Sequence, residues 1–164
     1  MPATYEPITR VVVSGGSTNS INLSSFGGYT DLVMDCVGSL SGTSIGYFFI
    51  QFNNVTSSGN YGQIRLLAYS AGRLSDQAST QANFDATVGN TIAGSAKLII
   101  PQYTDTNTYK YAQMWQTDSN GGSVNQQMDF FQSTSALTSI QLTTPSGLFF
   151  NNGFVVSLYG LLAA

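Results

Sequence analysis

Few side chains of this chain could carry out chemistry. The sequence contains no histidine, which removes Ser-His-Asp and Cys-His catalysis together with the commonest zinc ligand. Asp31 and Asp35 form a close pair of carboxylates. Four residues of extended strand separate them by about 13 Å, whereas an inverting glycosidase holds its two carboxyl groups about 6.5–9.5 Å apart. The pair therefore indicates a solvated strand face, and the sequence predicts no catalytic residue and no hydrolase activity.

Metal and cofactor sites are also expected to be absent. Asp105-x-Asn107 and Asp118-x-Asn120 match the start of a calcium-binding loop, but neither is followed by the glutamate at the twelfth position. Asp and Asn dominate ordinary turns as well, so we interpret both as turns. Cys36 is the single cysteine and lies among apolar neighbours, which is typical of a small buried hydrophobic side chain rather than a reactive thiol.

Aromatic residues offer the other possible chemistry. In residues 109–116, Tyr109, Tyr111 and Trp115 alternate with Lys110, Ala112, Met114 and Gln116, so the rings share one face of a strand. Such a face can stack sugars or bases. It is more often part of a core or of a subunit interface, and the sequence leaves these alternatives open.

Composition limits the partners. Only 8% of the 164 residues are charged and the net charge is −3, so the five Lys and Arg residues cannot form the basic patch that nucleic-acid binding requires. Hydrophobic residues make up 42%, which excludes disorder. No apolar run is long enough to cross a bilayer, so we expect neither a nucleic-acid nor a membrane partner.

The elements that must position these side chains are predicted to be short strands separated by Gly, Ser and Asn turns. The best candidate for a central strand is residues 29–37, in which Leu32, Met34 and Cys36 would point into a core. Residues 63–69 are expected to pair antiparallel with residues 47–52. Residues 70–94 support neither helix nor strand. The whole pattern, about eight to ten short strands without a convincing helix, predicts an all-β fold, an antiparallel jelly-roll-like β-sandwich.

One domain is expected. Residues 1–7 contain two prolines and no periodicity, which indicates an extended N-terminal arm, and residues 8–164 form the single sandwich domain. Pro2, Tyr5 and Pro7 suit an extended segment that lies on a partner.

Several stretches of the chain resemble a family. They are MPATYEPI at the start, YTDLV at residues 29–33, FNNVTSSGNYGQIRL at residues 52–66, KLIIPQYTDTNTYK at residues 97–110, and ALTSIQL followed by NNGFVVSLYGL near the end. In these the chain is similar to small virion structural proteins of tailed bacteriophages, which are head decoration, cement or minor tail components. The chain departs from the family where relatives show FNGD and this chain has FNNV at residues 52–55, and where residues 161–164 extend beyond the last strand.

The resemblance implies a non-enzymatic capsid decoration or cement protein on the exterior of the virion. It would form a homotrimer and bind the major capsid protein. The alternative is a tail-fibre or minor tail module that contacts host surface glycans. A third hypothesis, a carbohydrate-active enzyme, is disfavoured by the lack of catalytic side chains. The residues expected at an interface are Pro2, Tyr5, Pro7, Tyr109, Tyr111, Trp115 and Tyr159.

Overall fold

Two antiparallel β-sheets pack against each other. The computed structural model describes residues 4–42, 46–57, 59–69, 72–81, 84–88, 93–118 and 123–162. Within these ranges the chain forms strands and no helix. The strands are β1 (Tyr5–Val12), β2 (Ser20–Ser24), β3 (Asp31–Gly38), β4 (Gly46–Phe52), β5 (Tyr61–Tyr69), β6 (Gly72–Gln81), β7 (Phe84–Val88), β8 (Gly94–Ile100), β9 (Lys110–Asp118), β10 (Ser123–Phe131), β11 (Ser139–Thr143) and β12 (Val155–Leu161).

The large sheet has eight strands in the order β1-β12-β3-β8-β9-β10-β5-β6, and the small sheet has four in the order β2-β11-β4-β7. The paired strands run antiparallel in both sheets. This confirms the expected fold class, an all-β antiparallel sandwich of jelly-roll-like type. The described residues contain two strands more than the ten expected at most.

The core lies between the inner faces of the two sheets, and β3 contributes as predicted. Leu32, Met34 and Cys36 are buried and belong to the core cluster. Val33 points to the opposite face, yet it is also fully buried. It is flanked on the paired strands by Tyr159 of β12 and Ile99 of β8, and we attribute its burial to these larger side chains.

A buried lysine fixes the connection between β8 and β9. Lys110 is almost fully buried, and its ammonium donates hydrogen bonds to the backbone carbonyls of Asp105, Thr108 and Thr134. Burial lowers the pKa of Lys110, and the nearby Asp105 carboxylate acts in the opposite direction. These bonds attach the loop before β9 and the segment after β10 to the start of β9.

The structure corrects two expectations about the strands. Residues 70–94, whose pattern supported neither helix nor strand well, contain β6, which pairs with β5, and β7, which pairs with β4. Residues 70–71, 82–83 and 89–92 of this range lie outside the described residues. The small polar residues of β6 and β7 gave no apolar alternation, and both strands lie at sheet edges, where pairing on one side suffices. The predicted pairing of residues 63–69 with residues 47–52 is wrong as well, because β5 pairs with β10 and β6.

The reason for the second error is a turn that sends the chain to the other sheet. Asn53 and Asn54 both adopt the left-handed backbone conformation, with φ of 51° and 56°. The Asn53 side chain then accepts hydrogen bonds from the backbone N–H of Thr138 at 2.8 Å and of Ser139 at 3.3 Å. The chain therefore leaves β4 in the small sheet and continues in the large one rather than forming a hairpin.

Part of the predicted N-terminal arm belongs to a strand. β1 begins at Tyr5, which lies opposite Leu161, and Pro7 lies opposite Tyr159. Residues 5–7 therefore belong to the large sheet, while residues 1–3, which include Pro2, are outside the described residues. The described part of the chain contains no helix that is long and apolar enough to cross a membrane.

Candidate functional site

The face of the large sheet that points away from the small sheet, here called the outer face, is the most exposed apolar surface of the described residues. Along β9 the burial alternates, so that Tyr111 and Trp115 are 40% and 36% exposed while their even-numbered neighbours are buried. Most exposed large hydrophobic side chains of the described residues lie on this face: Tyr5, Val12, Val37, Ile64, Leu66, Tyr111, Trp115, Val124 and Phe130.

Most of the interface residues predicted from the sequence lie together on the outer face. The strand registers place Tyr5, Pro7, Tyr111, Trp115 and Tyr159 there, and the Tyr5 and Tyr159 rings make an edge contact with centroids 6.3 Å apart. The remaining two residues do not join them. Tyr109 precedes β9 and is exposed, and Pro2 lies outside the described residues. The aromatic face is thus not core, and its contact with a partner stays a prediction.

A shallow groove of about 560 Å³ crosses the outer face. Its polar lining comes from Arg10, Asp35, Lys97 and the hydroxyls of Ser95 and Ser157, and Tyr159 supplies an aromatic ring. Lys97 and Asp35 form an ion pair with a distance of 3.6 Å between Nζ and Oδ1, and both side chains are partly exposed. Asp35 was expected on a solvated strand face, and the structure places the Lys97 ammonium beside it.

The strand registers align four polar side chains of the groove, and Trp115 beside them, in one row. Arg10 of β1 lies opposite Ser157 of β12, which lies opposite Asp35 of β3, and Lys97 of β8 comes between Asp35 and Trp115 of β9. Neighbouring strands are about 4.8 Å apart, so the row, here called the polar row, spans roughly 19 Å. Sequence reasoning missed it because the five residues come from five strands whose order in the sheet could not be read from the chain.

The charges of the polar row are mixed in sign. The Asp35 carboxylate is neutralised locally by Lys97, whereas Arg10 makes no ion pair with any residue that the structure describes. An exposed pair such as Lys97–Asp35 contributes only about 0–1 kcal/mol to stability. Both partners can therefore exchange this contact for contacts with a ligand at small cost.

A second polar cluster, here called the amide cluster, lies on the inner side of the same sheet. The side chains of Gln116, Gln127 and Asp129 are buried, and Gln127 accepts from the Gln116 amide at 2.9 Å and donates to the Asp129 carboxylate at 2.6 Å. Gln127 also donates to Gln63 Oε1 at 3.5 Å, and the Asn125 amide donates to Gln127 Oε1 at 3.4 Å. These hydrogen bonds join the amide side chains of three neighbouring strands. We therefore assign the cluster a structural role in fixing the register of β5, β10 and β9.

The acidic residues considered for catalysis and metal binding have other partners. Asp31 Oδ1 accepts a hydrogen bond from the backbone N–H of Gln102 at 2.9 Å. Asp105 accepts from the Asn107 backbone and the Thr108 hydroxyl, which lower the pKa of its carboxyl group. This is the expected turn. The described residues contain no group of three or more His, Cys, Asp or Glu side chains that could hold a metal ion, and Asn120 of the other suspected calcium loop lies outside them.

Comparison with known proteins yields structural neighbours only. No family model matches the chain, and no curated protein matches it. One similar solved structure is a double mutant of the alginate lyase Aly36B in complex with an alginate tetrasaccharide, with 15% identity, a TM-score of 0.39, and 93% of this chain and 78% of that chain covered. Another is a double mutant of the same lyase with an alginate trisaccharide, with 13% identity, a TM-score of 0.32, and 90% and 80% covered.

These neighbours contradict the function expected from the sequence. The expectation was a non-enzymatic virion protein, with a tail module as its alternative, whereas the neighbours are enzymes and not virion proteins. Both the virion function and the statement that the chain is not an enzyme are therefore corrected. The physical reason for the error is that the quoted motifs are strand and turn patterns, which many β-sandwiches share. At these TM-scores the neighbours assign no activity to this chain, and the family resemblance itself, like the virion location, stays an untested prediction.

Proposed function

We propose that this protein binds an oligosaccharide in the groove of the outer face. The observation that carries the proposal is the composition of the groove, in which an aromatic ring, two hydroxyls and charges of both signs converge on one shallow surface. Its volume of about 560 Å³ lies within the roughly 300–1,000 Å³ that is usual for ligand sites.

The hydrogen-bonding capacity of the groove matches that of a sugar. A sugar hydroxyl both donates and accepts, so it needs acceptors and donors close together. The Asp35 carboxylate only accepts, Arg10 and Lys97 only donate, and Ser95 and Ser157 do both. Rings such as Tyr159 and Trp115 have apolar faces against which the C–H side of a sugar can pack. A phosphate-rich ligand fits less well, because a carboxylate stands between the two cations.

The sheet holds these side chains in place before a ligand arrives. β12 and β3 are paired on both sides, and β8 is paired with β3 and β9, so most of the polar row stands on interior strands. A site on rigid strands is more precise than a site on loops. Since the row extends over roughly 19 Å, it favours an extended oligosaccharide over a single sugar.

The experiment is isothermal titration of the protein with neutral and uronate-bearing oligosaccharides. We expect binding to one of the two classes, and we expect Arg10→Gln and Asp35→Asn each to weaken it by roughly 10–100-fold, the value of a hydrogen bond to a charged group. Asn22→Asp is the matched control, because Asn22 is exposed on β2 of the small sheet. It should leave the affinity unchanged.

Two results would refute the proposal. One is the absence of heat with either class of oligosaccharide at millimolar concentration. The other is binding that neither substitution weakens, which would place the site elsewhere. The same mixtures should be analysed for shortened chains, because cleavage that is lost together with binding in Asp35→Asn would extend the proposal from binding to a reaction.

A further inference from the structure

The end of the outer face opposite to the groove carries a separate surface, which is apolar. It consists of Ile64 and Leu66 on β5 and Val124, Met128 and Phe130 on β10, here called the apolar patch, and the uncharged Gln126 lies between Val124 and Met128, opposite Leu66. Leu66 is 60% exposed, Val124 59%, Ile64 47% and Phe130 40%. An exposed apolar cluster on a sheet face usually marks an interaction site.

β10 buries its polar side chains and exposes its apolar ones, the reverse of an ordinary amphipathic strand, and hydrogen bonds fix it in this orientation. On β10 the polar side chains Asn125, Gln127 and Asp129 point inward and are buried, while Val124 and Phe130 point outward. A slip of one residue in register would exchange the two faces. It would also break the hydrogen bonds of the amide cluster, so the apolar side chains cannot turn inward.

We propose that a second copy of this chain covers the apolar patch. The absence of charged side chains on this part of the face favours a second copy over a charged partner. None of the outward-pointing side chains described on β5, β9 and β10 is Asp, Glu, Lys or Arg. Two identical surfaces can therefore meet without like-charge repulsion, as a two-fold contact requires, whereas a charged partner would find no complementary group.

The size of the patch sets the strength of the contact. Two strands of about eight residues cover about 10 Å by about 26 Å, or roughly 250 Å² on each copy. A standard stable interface buries about 800 Å² on each partner, so the contact should be weak and reversible. Overlap limited to this end of the sheet leaves the groove open. The proposal rests on different residues from the proposed function and is independent of it.

Sedimentation equilibrium over a wide range of protein concentrations tests the proposal. We expect the mass of the wild type to rise from one chain toward two, with dissociation in the micromolar range or weaker. Leu66→Glu should weaken the association by at least roughly tenfold, because it would bury a carboxylate without a partner. Asn22→Glu adds the same charge on the small sheet and should behave as the wild type. Far-UV circular dichroism of both variants is the control for folding.

Three results would overturn the proposal. The first is a mass of one chain at every concentration. The second is an assembly that Leu66→Glu leaves intact, which would place the interface elsewhere. The third is a monomeric wild type that binds an apolar fluorescent dye when the Leu66→Glu variant does not. The patch would then bind an apolar ligand and not a second copy.

Discussion

Removing one hydroxyl group tests how the two sheets are joined at the end of β4. Tyr61 of β5 is fully buried, and its ring stacks on Phe131 with centroids 4.9 Å apart. Its hydroxyl accepts a hydrogen bond from the backbone N–H of Phe52 at 2.9 Å and donates to the carbonyl of Val55 at 2.9 Å. Because Phe52 ends β4 and Tyr61 begins β5, this hydroxyl connects the small sheet to the large one.

Tyr61→Phe keeps the ring and its stacking but takes the acceptor from the Phe52 N–H and the donor from the Val55 carbonyl. Leaving a buried partner without its hydrogen bond costs about 1–3 kcal/mol. For a chain of this size that corresponds to a fall in Tm of roughly 2–4 °C for each kcal/mol. We therefore expect the free energy of unfolding to fall by about 1–3 kcal/mol.

The measurement is urea unfolding followed by far-UV circular dichroism, extrapolated linearly to water. Tyr111→Phe is the matched control, because Tyr111 is 40% exposed on the outer face. Its free energy of unfolding should change by less than about 0.5 kcal/mol. Equal stability of Tyr61→Phe and Tyr111→Phe would refute the role of the hydroxyl.

The pH dependence gives an independent check. Burial raises the pKa of Tyr61 from 10.0 to about 12. Since the folded-state pKa is above the unfolded one, the neutral phenol stabilises the fold below pH 10, and this contribution is lost as the pH rises toward 12. The advantage of the wild type over Tyr61→Phe should therefore shrink across that window. A constant difference would show that burial does not raise the pKa of this phenol above its unfolded value.

Three further substitutions or treatments have clear expected outcomes. Burial raises the pKa of Cys36 strongly, so a thiol reagent should label the native protein far more slowly than the urea-unfolded chain, and equal rates would contradict this. The hydrogen bond from the Asn107 backbone lowers the pKa of Asp105, so the ionised carboxylate stabilises the fold above pH 3.8, and this stabilisation is lost as the pH falls. In Asp105→Asn, Tm should therefore decrease less steeply than in the wild type as the pH is lowered, and equal slopes would contradict this. A Cβ at Gly160 would collide with the ring of Tyr29, so Gly160→Ala should lower the free energy of unfolding by about 1–3 kcal/mol in urea titrations, and an unchanged value would show that the ring moves aside.

Alternation along single strands was sufficient to predict the class of the fold. The faces of β3 and β9 are as the residue pattern indicated, because a period of two is a local property of an extended chain. β6 could not be found in this way. Its sequence of small and polar residues lacks an apolar side, and it is held as an edge strand by its pairing with β5.

The groove was beyond sequence reasoning for a different reason. Arg10 and Lys97 are far apart in the chain, and they approach only because β12 and β3 lie between β1 and β8. Such long-range pairing depends on which strands meet in the sheet, and no local pattern encodes it. The apolar patch was missed because alternation shows that two faces differ but not which of them points inward, and at β10 the polar face does.

The order of the strands also determines how the two proposed surfaces can influence each other. Arg10 stands on β1 and Leu66 on β5, and six strand spacings separate these strands, roughly 29 Å. Effects of substitutions more than about 7–10 Å apart without shared partners are usually additive. Arg10→Gln should thus change oligosaccharide affinity and not self-association, and Leu66→Glu should do the reverse. If saccharide binding instead weakened as the protein dimerised, we would infer that the second copy lies across the groove. Overlap of the two binding surfaces would explain such competition without any coupling through the sheet.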